Sequence, residues 1–176
     1  MVSLSFVFWM YVILFGIIGG MRGWAKELLV TFSVILALTF TTLLEHYVPF
    51  VRDVLTKDSP ALYFWLRTLI LALLVFFGYQ TPHLSRFAAK MTREKFQDIL
   101  LGAFLGAING YLIAGTIWYY MADGGYPFTQ VIAPPSGDIA RLAEAMLRYM
   151  PPQLLGIPGI YFAVVIAFIF VIVVFI

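Results

Sequence analysis

Cysteine is absent from the 176 residues. That excludes disulfides, thiolate metal centres and a cysteine nucleophile. Charge is nearly as scarce: Asp, Glu, Lys and Arg make up 11% of the chain and gather in short gaps. Residues 1–21, 28–44, 68–82, 99–122 and 149–176 hold none of them. With no ionisable group at the middle of these runs, a proton relay or ion-coupled pump lacks its usual parts. There is no HExxH, no GxSxG, no phosphate-binding loop and no carboxylate pair inside a run, so no enzyme is expected. His46 and His83 both fall at run ends without a neighbouring second ligand, and no metal or other cofactor is expected. A formal net charge of +2 is too small to point to nucleic acid.

What the chain has instead is apolarity: 62% of its residues are hydrophobic and 18% are aromatic. A helix needs roughly 17–25 such residues to cross about 30 Å of hydrocarbon. A soluble domain would show period-3.6 or period-2 alternation, because half its surface meets water. The expected fold is therefore all-α, a polytopic transmembrane helical bundle forming one membrane domain over residues 1–176. Helices are expected at about 4–21, 28–44, 60–80 and 98–121, with a fifth C-terminal span at 157–176. The first run reads as a retained helix and not a cleaved signal: no basic residue precedes it, no small-residue cleavage site follows, and Arg22 closes it. Pro60 suits the first turn of the third helix, with Ser59 as its N-cap.

Five spans place the gaps alternately on two sides. Arg22, Lys26, Arg86, Lys90, Arg93 and Lys95, set against Glu27, Glu94 and Asp98, give one side a net +3. The other side nets −1. The positive-inside rule then puts the first side in the cytoplasm, the N-terminus outside and the C-terminus inside. Residues 85–95 form a basic amphipathic stretch suited to the headgroups of anionic lipids. Residues 137–150, capped by Ser136, segregate Ile139, Leu142, Met146 and Leu147 from Asp138, Arg141, Glu144 and Arg148. They read as an interfacial amphipathic helix, lying on lipid or over the bundle. Trp118, Tyr119 and Tyr120 read as an aromatic anchor at the membrane border.

The most specific internal pattern is Gly102, Gly106 and Gly110, one glycine every four residues. Lipid offers no hydrophobic drive for helix association, so small residues matter because they let backbones approach. The first helix has the same device at Gly16/Gly20 and at Gly19/Gly23. These two faces are expected to make close crossings, within the chain or between copies. Asn109 falls near the middle of its span as the one strongly polar side chain at depth, and an unmet amide there costs several kcal/mol. It needs an interhelical partner or a ligand.

The first hairpin reads Arg22-Gly23-Trp24-Ala25-Lys26-Glu27. Arg22 and Lys26 can both reach lipid phosphates, Trp24 sits at headgroup level, and Gly23 permits the sharp turn. This Arg-Gly-aromatic-x-basic-Glu hairpin, followed by Asp98-x-x-x-Gly102-x-x-x-Gly106-x-x-x-Gly110, resembles the colicin V production protein family over about residues 5–150. The resemblance implies a four-helix bacterial inner-membrane protein, with the fifth run lying outside the usual unit. It supplies a location rather than a mechanism. Asn109 stands where family members usually have a basic residue, and Ile99 where a basic residue usually follows the Asp.

These readings converge on a non-enzymatic membrane subunit that packs within or organises a larger bacterial complex, for which a respiratory or photosynthetic assembly would fit. Its partners are expected to be membrane lipids and other membrane subunits, and its apolar faces suit lipid or pigment contacts. The alternative is a small oligomeric channel or transporter-like protein. Its polar path would have to run through Thr39, Thr41, Thr42, Asn109 and Thr116.

Overall fold

Ser3 opens the first helix: its hydroxyl accepts from the Phe6 amide at 3.2 Å, meeting one of the donors that a helix start leaves free. Helix α1, Leu4–Arg22, follows, and a single residue, Gly23, separates it from α2, Trp24–Tyr47. Pro60 takes the first position of α3, Pro60–Tyr79, while the Ser59 side chain makes no capping bond. The chain continues through α4, Lys95–Asp123; α5, Asp138–Leu147; α6, Pro151–Leu154; and α7, Gly159–Phe175. The structure, a computed structural model, describes residues 3–51, 59–80, 95–130, 132 and 134–175. Among these the architecture is wholly helical, as expected. Four helices, α1 to α4, are long and apolar enough to cross a membrane.

All four of these helices run past the charge-free stretches that suggested them, α1 by the single residue Arg22. Helix α2 starts at Trp24 and not at residue 28, since Glu27 is buried against partners and does not end the helix. Its hydroxyls are satisfied internally. Ser33, Thr39, Thr41 and Thr42 each donate to the carbonyl four residues back, at 2.8–2.9 Å. That arrangement lets a threonine-rich helix sit in hydrocarbon without orphaned groups. Helix α3 includes Arg67, within the expected 60–80 span although before its charge-free stretch. The expected fifth span appears as α7, an apolar helix of 17 residues, shorter than the other four.

Helix α1 packs on α4, while α2 packs on α3, α4 and α7. The main core joins Val34 and Leu38 of α2, Phe64 and Leu71 of α3, Leu112 and Tyr120 of α4, and Ile160 of α7. A second cluster joins Phe8, Trp118, Ala143 and Met150. Trp118 and Tyr120 are thus core side chains and not a membrane-border anchor, because they lie on the α4 face turned toward its neighbours. Helix α5 rests on that second cluster through Ala143, Met146 and Leu147, leaving Ile139 and Leu142 exposed. Its N-cap is Gly137, not Ser136. The basic stretch at 85–95, apart from Lys95, and His83 lie outside the described residues.

Candidate functional site

The turn between α1 and α2 can be this short because Gly23 adopts φ +86°, a left-handed conformation that side chains disfavour. Its amide donates to the Gly19 carbonyl at 2.9 Å. Against the turn stands Asp98 from the first turn of α4. Its Oδ1 accepts from the Trp24 amide at 3.1 Å, capping α2 from another helix. A carboxylate at a helix N-terminus also meets the positive end of the helix dipole. Asp98→Ala is expected to cost about 1 kcal/mol, and Asp98→Asn only a fraction of that, since an amide oxygen still accepts. Denaturant titration in mixed detergent micelles would measure both.

Behind the turn the two glycine faces meet. A Cβ placed on Gly19 would strike the Gly102 carbonyl oxygen and come within 2.7 Å of the Gly106 Cα. One placed on Gly106 would strike the Phe15 carbonyl oxygen and lie 2.8 Å from the Gly19 Cα. A Cβ placed on Gly110 would come within 2.9 Å of the Val12 Cα and the Phe15 Cβ. Gly16 and Gly20 lie at the edge of the same crossing, where an added Cβ would be in ordinary contact with Ala103 at 3.4–3.5 Å. The tightest contact on α1 therefore belongs to Gly19.

The hairpin and Asn109, separate features in the sequence, form one polar network. Glu27 is 0% exposed. Its Oε1 accepts from Arg22 Nη1 at 2.7 Å and its Oε2 from Asn109 Nδ2 at 2.8 Å. The Asn109 amide also donates to the Glu27 carbonyl at 2.9 Å, and its oxygen accepts from the Thr31 hydroxyl at 2.7 Å. Arg22 is further held by the Tyr79 carbonyl at 3.1 Å and lies over the Tyr79 ring at 4.2 Å. The network ties α1, α2, α3 and α4 together. Asn109 is thus not alone at depth; its partner is a buried carboxylate, which the sequence reading assigned to the turn. Lys26 is exposed, and Trp24 lines an apolar groove of about 540 Å³ with Phe32, Phe104 and Phe170.

A second charged cluster occupies the other end of the bundle, and the sequence reading missed it. Arg67 is 3% exposed; its Nη1 donates to Asp123 Oδ2 at 2.9 Å and stands 3.6 Å from Glu45 Oε1. The guanidinium lies over the rings of Tyr63, at 3.7 Å, and Tyr120, at 4.3 Å. The Tyr63 hydroxyl donates to Glu45 Oε1 at 2.7 Å. The usable signal was a basic residue in the second turn after Pro60, inside a helix and not before it.

Four membrane-length apolar helices closed by intrachain ion pairs define a multi-pass membrane protein. The glycine crossing, the Gly23 turn and the Asp98 cap fall on the residues that carried the resemblance read from the sequence, and a comparison with family models shows the family. The model described as colicin V production protein matches residues 4–151, and the chain belongs to that family. No curated protein and no solved structure gave a significant match.

Proposed function

We propose that the chain is a non-enzymatic subunit of a bacterial inner membrane, packing within a larger membrane complex and helping to organise it. Its N-terminus lies outside and its C-terminus in the cytoplasm, on the charge asymmetry of its loops. The observation that carries this reading is the position of α1. That helix is held through one glycine-lined face against α4, while Phe6, Trp9, Met10, Ile13, Leu14 and Ile17 stay exposed on its other sides. Arg22, Glu27 and Asn109, meanwhile, are paired with one another. Thr41 and Thr42 line a cavity at the Arg67 end, Asn109 belongs to the network at the hairpin end, and the apolar core of Val34, Leu38, Leu71 and Leu112 lies between them. That separation supports packing over conduction.

Blue-native electrophoresis in mild detergent tests the proposal. The expected result is a band far above the monomer mass, with distinct co-migrating chains identified by mass spectrometry. Leu14→Trp, on the exposed side of α1, is expected to release those chains without altering the melting temperature of the isolated protein. Migration solely as a monomer or homo-oligomer, together with ion flux from reconstituted liposomes, would overturn the reading in favour of a channel.

A further inference from the structure

Between α2, α4 and α7 runs a groove of about 540 Å³. Its lining side chains are aliphatic and aromatic apart from Thr31, whose hydroxyl is spent on Asn109. Helix α7 forms one wall. Its Ile160 is buried in the main core with Leu38 and Leu112, and its Phe168 meets the Phe32 ring edge-on at 4.8 Å. On the groove side α7 contributes Ala163 and Ala167, one turn apart, too small to fill the space between it and α4. The rim is open: Phe104 on α4 is 64% exposed and Ile166 on α7 is 65% exposed.

The groove is closed at one end. Its α2 wall covers residues 24–35. That is about 16 Å at 1.5 Å per residue, close to one leaflet of a hydrocarbon layer roughly 30 Å thick. Beyond this wall Ile160 ties α7 into the core. At the open end stands the half-buried Trp24, beside the hairpin, and an indole suits the headgroup level. A transmembrane helix from another protein would need a channel through both leaflets, and Ile160 stops this one halfway. An acyl chain entering from the hairpin side has the right depth. It would touch three helices where a lipid at the bundle surface touches one, and dispersion contacts grow in proportion.

The open end is also basic. Among the described residues there, Arg22 is paired with Glu27 and Asp98 caps α2. Lys26 and Lys95 are exposed and make no ion pair among the described residues. Such charges attract an anionic headgroup without having to touch it. We propose that the groove holds one acyl chain of an anionic phospholipid from the leaflet on the hairpin side, with the headgroup drawn toward Lys26 and Lys95. The site needs this chain alone and does not depend on membership of a larger complex.

Native mass spectrometry of the full chain tests this, in detergent with phosphatidylglycerol or phosphatidylcholine of identical chains. One phosphatidylglycerol is expected to stay bound at collision energies that strip the rest. Its retention should exceed that of phosphatidylcholine at least about fivefold, the scale of one surface lysine. Ala167→Phe fills the groove and is expected to remove this adduct, while Leu69→Phe, on the exposed side of α3, keeps it. Lys26→Gln combined with Lys95→Gln is expected to abolish the preference between headgroups. On the unaltered protein, phosphatidylglycerol with chains too short to reach the closed end should be lost first, which decides the matter even where a variant fails to fold. Several equivalent adducts, equal retention of both lipids, or indifference to chain length would overturn the proposal. So would an adduct that survives Ala167→Phe, a preference that survives the lysine changes, or a polypeptide held in place of the lipid.

Discussion

Gly106→Leu is expected to cost about 3 kcal/mol or more, the upper end for inserting atoms into a packed interior, and to leave little folded protein. The reason lies in what surrounds the position. The first carbon added to Gly106 would meet the Phe15 carbonyl oxygen and the Gly19 Cα at 2.8 Å, so the obstacle is backbone and cannot rotate aside. Relief requires α1 and α4 to separate, which removes dispersion contacts along the whole crossing. No hydrophobic drive compensates within lipid. Two comparisons isolate the cause. Ile108→Leu, two residues away and only partly buried, conserves volume and is expected to cost less than about 1.5 kcal/mol. Gly16→Ala places its new carbon in ordinary contact with Ala103 and Ala107 and is expected to be nearly neutral. Unfolding in mixed detergent micelles orders the three variants. Equal tolerance of Gly106→Leu and Ile108→Leu would show that the crossing is not backbone-limited.

Glu27→Ala is the second large effect, expected at about 3–5 kcal/mol, the range for breaking one half of a buried ion pair. The carboxylate has no exposure and holds two partners, Arg22 at 2.7 Å and Asn109 at 2.8 Å. Removing it leaves Arg22 with the Tyr79 carbonyl and the Asn109 amide with the residue-27 backbone carbonyl, each short of its charged partner. Arg22, at 20% side-chain exposure, can recover part of its hydration, whereas the Asn109 amide cannot. Asn109→Ala alone is expected to cost about 1–3 kcal/mol, since it leaves the carboxylate its arginine. Adding Asn109→Ala to Glu27→Ala should then cost less than the two separate effects combined, because the residues share one network. Strict additivity in that double-mutant cycle would mean that the two side chains do not depend on each other.

The helices were legible because continuous apolarity over membrane length has few other physical meanings. Their ends were less so. Charge-free runs mark where no charge occurs, not where a helix stops, and a buried charge with a partner can lie well inside one. Glu27 and Arg67 both escaped for that reason. Glu27 looked like the polar border of a span and Arg67 like a charge near one end of the third, and only the packing of four helices shows that Asn109, Tyr79, Asp123 and Tyr120 surround them. The glycine stripe of α4 was readable from spacing alone, since three glycines at intervals of four return to one face. Which α1 glycine would answer it was not, because Gly16, Gly19, Gly20 and Gly23 offered two overlapping pairs. Asp98 was recognisable through its family motif, but its action on the Trp24 amide depends on how α4 crosses the end of α2.

Glu27 and Glu45 are eighteen residues apart in α2, five full turns, so they project from the same side of one rod. At 1.5 Å per residue their separation is about 27 Å, close to the roughly 30 Å of oil a bilayer interposes between its two borders. Each is anchored to an arginine from a different neighbour, Arg22 at one end and Arg67 at the other. The helix therefore works as a ruler clamped at both marks. It cannot slide far against α1 and α3 without drawing one of its acids away from its mate, and the distance between the two marks is close to the depth of oil that the bundle would cross.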